Sequence, residues 1–389
     1  MNAPGASGIL RSDGRVTNIE LFFDLVFVFA VTQLSRTLVH HLTFTGAIQT
    51  AVLLAVVWQA WIYTTWFTTY VNPTWQPVRL VLVATMLGSL IMAVAVPEAF
   101  GGRGMLFAAT FVIMQVGRAV VAAVLLRNHE LRMVFVRVTP WCLLSGVVMI
   151  LGSTVHGQAR LGCWAAAIAI DLFGAAVGFY VPGLDRSATT DWAIEGGHFA
   201  ERCQGFVLIA LGESIVVTGS ILAGGEHLSA HLVGAALAAF GGAVALWWIY
   251  FDRAAEDSAA EIARSDDPGR LGRSAFHWIH PFIVAGIIVT AAADEVVLAE
   301  PDQRGHASTT WLVLGGVALF LLGHALFKLV VWAAWPWTRL GGLLAVMALI
   351  PLAPHVSAIA LGVATLIVLV CVAIGDRIMH PQLAAKPAA

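Results

Sequence analysis

The stretch 15-RVTNIELFFDLVFVFAVTQLSRTLV-39 decides how the whole chain is read. Most of it is apolar enough to enter a bilayer, yet Glu20 and Asp24 stand four residues apart. On a helix they share one face, one turn from each other. Carboxylates inside a membrane are costly and nearly always turn toward a bundle interior or a water-filled cavity. A span that carries two of them predicts an interior built to receive them.

The rest of the chain agrees with a membrane reading. Of 389 residues 59% are hydrophobic and 11% charged, with a mean hydropathy of +0.85. A soluble domain carries about 25% charged residues, so that class is excluded. The net charge of −2 and the lack of a basic run give no reason to expect a nucleic-acid partner. The expected partners are membrane lipids and a small-molecule or lipid-like substrate, with homo-oligomerisation left open. Cys142, Cys163, Cys203 and Cys371 lie scattered in apolar segments without a CxxC spacing. They read as small core residues, and no cofactor or metal is expected. The first residues, MNAPGASGILRSDGR, lack the apolar core of a signal peptide and read as a disordered cytoplasmic tail.

Division at glycine, proline and charge clusters predicts helices over 18–38, 44–70, 79–99, 105–126, 132–155, 160–184, 196–223, 228–252, 276–298, 309–332, 335–353 and 355–376. If the N-terminus is cytoplasmic, only Arg36, Arg103, Arg160 and Arg304 fall at outer ends, and the other terminal Arg and Lys residues fall inside. That asymmetry places both termini in the cytoplasm. The polar insertion 253-RAAEDSAAEIARSDDPGRLGR-273 reads as a solvated cytoplasmic loop.

The second half echoes the first. The segments 20-ELFFDLVFVFAVTQLS-35 and 201-ERCQGFVLIALGESIV-216 align, as do 57-VWQAWIYTTW-66 and 244-VALWWIYFDR-253. Further on, 86-MLGSLIMAVAVPEA-99 aligns with 283-IVAGIIVTAAADEV-296, and 112-VIMQVGRAVV-121 with 318-ALFLLGHALF-327. A Trp-Ile-Tyr triplet and a glycine-base pair therefore recur in register. The fold class expected is an all-α polytopic membrane protein of about 12 transmembrane helices, built as two six-helix repeats of the same orientation. The divisions are a tail at 1–16, repeats at 17–186 and 187–378 with a cytoplasmic loop at 253–275, and a cytoplasmic tail at 379–389.

The opening IELFFDLVFVFAVTQLS and the later HFAERCQGFVLIALGESIV resemble the two hallmark segments of the low temperature requirement protein A (LtrA) family. The resemblance covers most of the chain in length and hydropathy. It departs at Cys203-Gln204, where a more apolar or glycine residue is the norm. It implies a bacterial inner-membrane protein linked to growth in the cold, and supplies no defined reaction.

The ionisable residues carry the functional expectation. Thr17 and Glu20 fit a capping box, which gives Glu20 a structural role, whereas Asp24 lies beyond reach of the cap. His198, Glu201 and Arg202 fall at i, i+3 and i+4 and form a cytoplasmic charge cluster with Glu20. An Asp24–Arg202 pair lowers the cost of both charges; snorkelling of His198 and Arg202 is the competing reading. Glu213 lies roughly 22 Å into its helix at 1.5 Å per residue, past the bilayer middle, and is a proton-carrier candidate. Arg118 and His324 occupy equivalent depths, and Arg118 requires an acidic partner or an anion, with Asp171 and Glu213 in reach of that role. Trp58, Trp61, Trp247 and Trp248 are candidates to wall a cavity. Glu98, Asp294 and Glu295 read as exposed helix ends, and His277 and His280 as interfacial side chains.

Asp24, Glu213, Arg118, Asp171 and His324 together suggest a proton-coupled secondary transporter with a central polar site. The alternative is an intramembrane enzyme acting on a lipid or isoprenoid by carboxylic-acid proton transfer. The topology has its own check. A reporter fused at residue 260 is expected to read cytoplasmic, and a periplasmic signal would invert the assignment of every loop.

Overall fold

In the structure, a computed structural model, the described residues are 9–11, 14–187, 196–224, 229–252, 260–262 and 264–379. The rest of the N-terminal tail, the start of the polar insertion (253–259) and the tail beyond Met379, all assigned from sequence, lie outside the described residues. The helices are α1 (Asn18–His40), α2 (Phe44–Tyr70), α3 (Gln76–Ala95), α4 (Gly104–Leu125), α5 (Arg132–Thr154) and α6 (Gly157–Ala176). There follow α7 (Gly196–Gly224), α8 (Ala230–Phe251), α9 (Pro268–Ala299), α10 (Ala307–Trp332), α11 (Trp337–Leu349) and α12 (Ala358–Met379). Between Arg273 and Ile279 α9 widens into a π-helical stretch.

Among the described residues eleven of these helices are long and apolar enough to cross a membrane. The chain is an all-α, multi-pass membrane protein. α11, with 13 residues, is shorter than the expected 335–353 and spans about 20 Å, less than the ~30 Å hydrocarbon core. The break has a local cause: Pro351 and Pro354 follow its end, and proline cannot continue the hydrogen-bond ladder.

α1 shows the physical logic of the whole fold. Leu21, Phe22 and Leu25 are each more than half exposed, while Glu20 and Asp24 are 0% and 3% exposed. A water-soluble helix does the reverse. Only an apolar solvent makes it favourable to turn leucine and phenylalanine outward and ionised groups inward.

Contacts divide the chain into two units, Met1–Ile209 with Ile262–Arg273 and Ala210–Glu261 with Ser274–Ala389. In the first, α1 packs on α2 and α3, and α3 to α6 pack in succession. α2 lies inside, against α1, α4 and α6, and every residue from Val56 to Tyr70 is buried. Its threonines are tolerated there because their hydroxyls donate to the preceding turn, Thr64 to Ala60 O (2.8 Å) and Thr69 to Thr65 O (2.9 Å). In the second unit α9 pairs with α10, α10 with α11, α11 with α12, and α12 closes on α8. The contact boundary falls inside α7, whose first half belongs with α1 and α2.

Two expectations need correction. Part of the N-terminal tail is docked: Leu10 bridges Val71, and the Arg11 N–H donates to Tyr70 O at 3.2 Å. A buried carboxylate, described below, holds Arg11 in place. The insertion is likewise not wholly solvated, since residues 260–262 are helical and Ile262 is fully buried.

α9 and α10 approach each other backbone to backbone. A Cβ added to Gly286 would lie 2.4 Å from the backbone nitrogen of Phe320, where neither helix can yield by a side-chain rotation. Gly286→Ala is therefore expected to cost about 1–3 kcal/mol, read as a lowered thermal midpoint in detergent. Gly315→Ala, with nothing within 4 Å of the new atom, serves as control, and equal melting of the two variants would refute the close packing.

Candidate functional site

In the first unit the start of α1, the end of α2 and the start of α7 meet, and their buried faces hold opposite charges. Glu20 is the hub. Its Oε2 accepts from the Thr17 backbone N–H (2.9 Å) and hydroxyl (2.8 Å), which ties off the first turn of α1. Its Oε1 accepts from Arg11 Nη1 (3.0 Å), His198 Nε2 (2.9 Å) and Arg202 Nη1 (3.1 Å). Because an ionised carboxylate only accepts, His198 must carry its proton on Nε2 in this contact.

One turn deeper Asp24 accepts both arms of the Arg202 fork, Nε at 2.8 Å and Nη2 at 2.6 Å, and the Trp61 indole N–H at 2.7 Å. Arg202 lies within 6 Å of the Phe23 and Trp61 rings, at 5.7 and 5.9 Å. Its Nη1 also reaches the Thr68 hydroxyl (3.3 Å), and the Thr68 carbonyl accepts from Arg11 (2.9 Å). Two carboxylates thus face two guanidinium groups, with Arg202 closed to solvent and Arg11 at the half-buried edge of the cluster. The Asp24–Arg202 pair is present, and Arg202, 1% exposed, does not snorkel.

Several expected members are placed differently. Glu201 is exposed, because on a helix it lies about 60° from His198 and 100° from Arg202, on the flank. Glu20 is more than a cap, since it also anchors Arg11, His198 and Arg202. Trp58 and Trp61 do not wall an opening; they pack at 4.9 Å from each other and at 5.3 and 4.7 Å from Phe206. Trp247 is 43% exposed, and Trp248 lies under the Arg377 guanidinium at 4.8 Å, so neither lines an interior. Aromatic rings on an outward helix face belong with lipid and interface.

Arg118 on α4 is buried against α2 without the acidic contact expected of it. None of the ion pairs among the described residues includes it. It donates instead to Thr64 Oγ1 (2.9 Å), to the Gln115 side chain and, at 3.5 Å, to Ala60 O, and lies 5.6 Å from the Tyr63 ring. Thr64 can accept because its own proton is committed to Ala60 O. Asp171 on α6 is within electrostatic range of Arg118 and Tyr63. It is 1% exposed, and neither carboxylate oxygen has a hydrogen bond of ordinary geometry. Ser145 lies beside it, but that hydroxyl donates to Cys142 O at 3.3 Å.

On the face where Arg11 docks, a cavity of about 590 Å³ is lined by Arg11, Tyr70, His129, Glu130 and Arg137 among others. The Tyr70 hydroxyl is buried there without a partner among the described residues. Arg137 is held by Leu184 O at 2.8 Å.

The second unit has its own buried polar contacts. Tyr250 on α8 lies 6.3 Å from the His324 ring on α10, as Tyr63 on α2 lies against Arg118 on α4. The Tyr250 hydroxyl meets His280 Nε2 at 2.9 Å. His277 and His280 are buried, at 3% and 0% exposure, rather than interfacial, because the π-helical turn of α9 carries them inward. Glu213 is 2% exposed, and Ser214 beside it lies near Asp294, which is not the exposed helix end expected. Arg339 and Lys328 both pair with Asp376. Among the described residues no group of three or more His, Cys, Asp or Glu is placed to hold a metal.

Some of these partners carry no sequence signal. Arg11 and Glu20 are nine residues apart in the chain, and Arg339 and Asp376 lie on different helices. One signal was there to be read: 64-TTWFTT-69 puts four threonines inside an apolar span, more hydroxyls than a lipid-facing helix has use for.

The family model described as bacterial low temperature requirement A protein (LtrA) matches residues 15–374. An uncharacterized protein of Rhizobium meliloti (strain 1021) is 33% identical over 366 residues, covering 92% of this chain and 88% of its own. No solved structure matches the chain significantly.

Removing one partner of a buried ion pair leaves a charge with no counterpart, at a cost of about 3–5 kcal/mol. Asp24→Asn is therefore expected to lower the thermal midpoint sharply in detergent. Arg202→Lys should do so less, having lost the two-armed fork but kept the charge. Glu201→Gln on the exposed flank should leave it unchanged. Near-equal melting of all three would mean the network adds nothing to stability.

Proposed function

The chain belongs to the LtrA family, and from that premise and the inward-facing charges we propose that it is a proton-coupled secondary transporter of the bacterial inner membrane with both termini cytoplasmic. The observation that carries the reading is Asp171, a buried intramembrane carboxyl within electrostatic range of Arg118 and, among the described residues, with no ion pair and no hydrogen bond of ordinary geometry. An acid placed this way can gain or lose a proton without breaking an existing bridge, which marks a proton route rather than a structural pair. Asp24 is a poorer carrier, since Arg202 and Trp61 already occupy its lone pairs.

In this scheme the Asp24–Glu20–Arg202–Arg11 network fixes α1, α2 and α7 as one frame. Arg118, on neutral oxygens of α2 and α4, is free to respond to the charge state of Asp171. When Asp171 is ionised it attracts Arg118, and when protonated it releases it, so one proton alters how α6 is held against α4. A small-molecule or lipid-like substrate enters by the cavity at Tyr70 and Arg137. Glu213 and His324 are the corresponding ionisable groups of the second unit, and the Tyr63–Arg118 and Tyr250–His324 contacts support reading the halves as repeats. The intramembrane enzyme is the weaker reading, because the tryptophans that would wall its lipid pocket are packed against Phe206.

The test is flux. Purified protein is sealed into liposomes containing a pH dye, and a panel of small organic ions and amphiphiles is added outside. Solute-driven proton entry several-fold above empty liposomes is expected, falling to background in Asp171→Asn and reduced in Glu213→Gln. Proton entry that survives Asp171→Asn undiminished defeats the reading.

A further inference from the structure

The second unit holds a small cavity of about 40 Å³ bounded by α8, α9, α10 and α12, apart from every group discussed so far except Asp294. Its walls are Ala, Gly, Val, Ile and Leu save for three side chains, Thr290 and Asp294 on α9 and Thr365 on α12. About 10–15 Å³ is enough to seat one water-sized body, so the space suits an occupant of one or two heavy atoms.

The direction of the hydrogen bonds decides what that occupant is. The Thr290 hydroxyl donates to Gly286 O at 2.9 Å, and the Thr365 hydroxyl to Gly362 O at 2.8 Å. Each hydroxyl has one proton, and each is committed to its own helix, so only lone pairs are left for the cavity. The Asp294 Oδ2 is sealed from solvent and, among the described residues, accepts no hydrogen bond of ordinary geometry, the Ser214 hydroxyl beside the carboxyl being no part of the cavity lining. The lining contains no Lys, Arg, His, Asn, Gln or Trp. Three oxygens, one of them a carboxyl's, with no basic side chain in the lining give an anion nothing to bind. Divalent ions demand six or more oxygens and more charge than one carboxylate supplies. The small residues Ala235, Ala239 and Gly242 on α8 give the approach without contributing a competing group.

We propose that this cavity is a binding site for a single dehydrated sodium ion, held by Asp294 Oδ2, Thr290 Oγ1 and Thr365 Oγ1. The site does not depend on transport: the ion can bind and stabilise α9 against α12 in a protein that moves nothing. An ionisable side chain inside a membrane span marks an ion pathway or a buried pair, and Asp294 has no ion pair among the described residues.

The experiment is a melting series on the purified full chain in detergent, with NaCl exchanged stepwise for choline chloride at constant ionic strength. Sodium is expected to raise the midpoint by a few degrees in a saturating manner, as a ligand of the folded state does, with potassium weaker. Asp294→Asn should abolish the shift. Thr365→Val should fold normally and need several-fold more sodium for half the effect. An identical midpoint in sodium and choline overturns the proposal, as does a full shift in Asp294→Asn. If Asp294→Asn fails to fold, Thr365→Val decides alone, and an unchanged half-saturation overturns the site.

Discussion

Arg202 between Asp24 and Glu20 is the contact on which the first unit depends. Its guanidinium is fully enclosed, and all its reach goes to two carboxylates one helical turn apart and to a threonine of α2. In hydrocarbon none of these groups has an alternative partner, so separating them would strand charges in a medium that cannot solvate them. The pair therefore specifies which face of α1 meets which face of α7, more sharply than apolar packing would. Leucine meets valine equally well at many rotations, but a two-armed fork fits its carboxylate in one. Arg11 extends the same logic to the chain before α1, which docks because Glu20 has a lone pair to offer it.

α2 supplies the means by which polar groups coexist with so much apolar surface. Its threonines commit their protons to their own helix and turn lone pairs outward, Thr64 to Arg118 and Thr68 to Arg202. Neutral oxygens thereby do part of what a carboxylate would otherwise do, and Asp171 is left outside a direct bridge. The same device recurs at Thr290 and Thr365 in the second unit, where the lone pairs meet no cation of the protein itself. A hydroxyl back-bonded to its helix is thus a directional acceptor, and what stands opposite it tells structural sites from candidate binding sites.

The functional reading follows from which charges are saturated. Asp24 and Glu20 are buried and fully partnered, so they belong to the frame. Asp171 is buried and Asp294 half-buried, each with a carboxyl oxygen outside any hydrogen bond of ordinary geometry among the described residues, and these are the groups with freedom to exchange a proton or an ion. The sequence placed Asp24 among the coupling residues because depth alone was visible there. Depth is common to both classes, and only the partners separate them.

The sequence alone was enough to determine the membrane class, the helix order and most helix limits, because twenty-residue apolar windows and their breaks are local properties of the chain. It also marked Asp24, Arg118, Asp171, Arg202 and Glu213 as inward-facing, since the cost of charge in lipid needs no coordinates to be felt. Tertiary structure alone decided the rest: that Arg11 reaches Glu20, that Trp61 gives its N–H to Asp24 rather than walling a cavity, that Glu201 turns outward, and that Asp294 lines a small cavity. Each of these is a meeting of side chains far apart in the chain or a choice of rotation about a helix axis. Periodicity fixes which residues share a face, but what that face opposes is settled only when helices pack and every buried donor must find an acceptor.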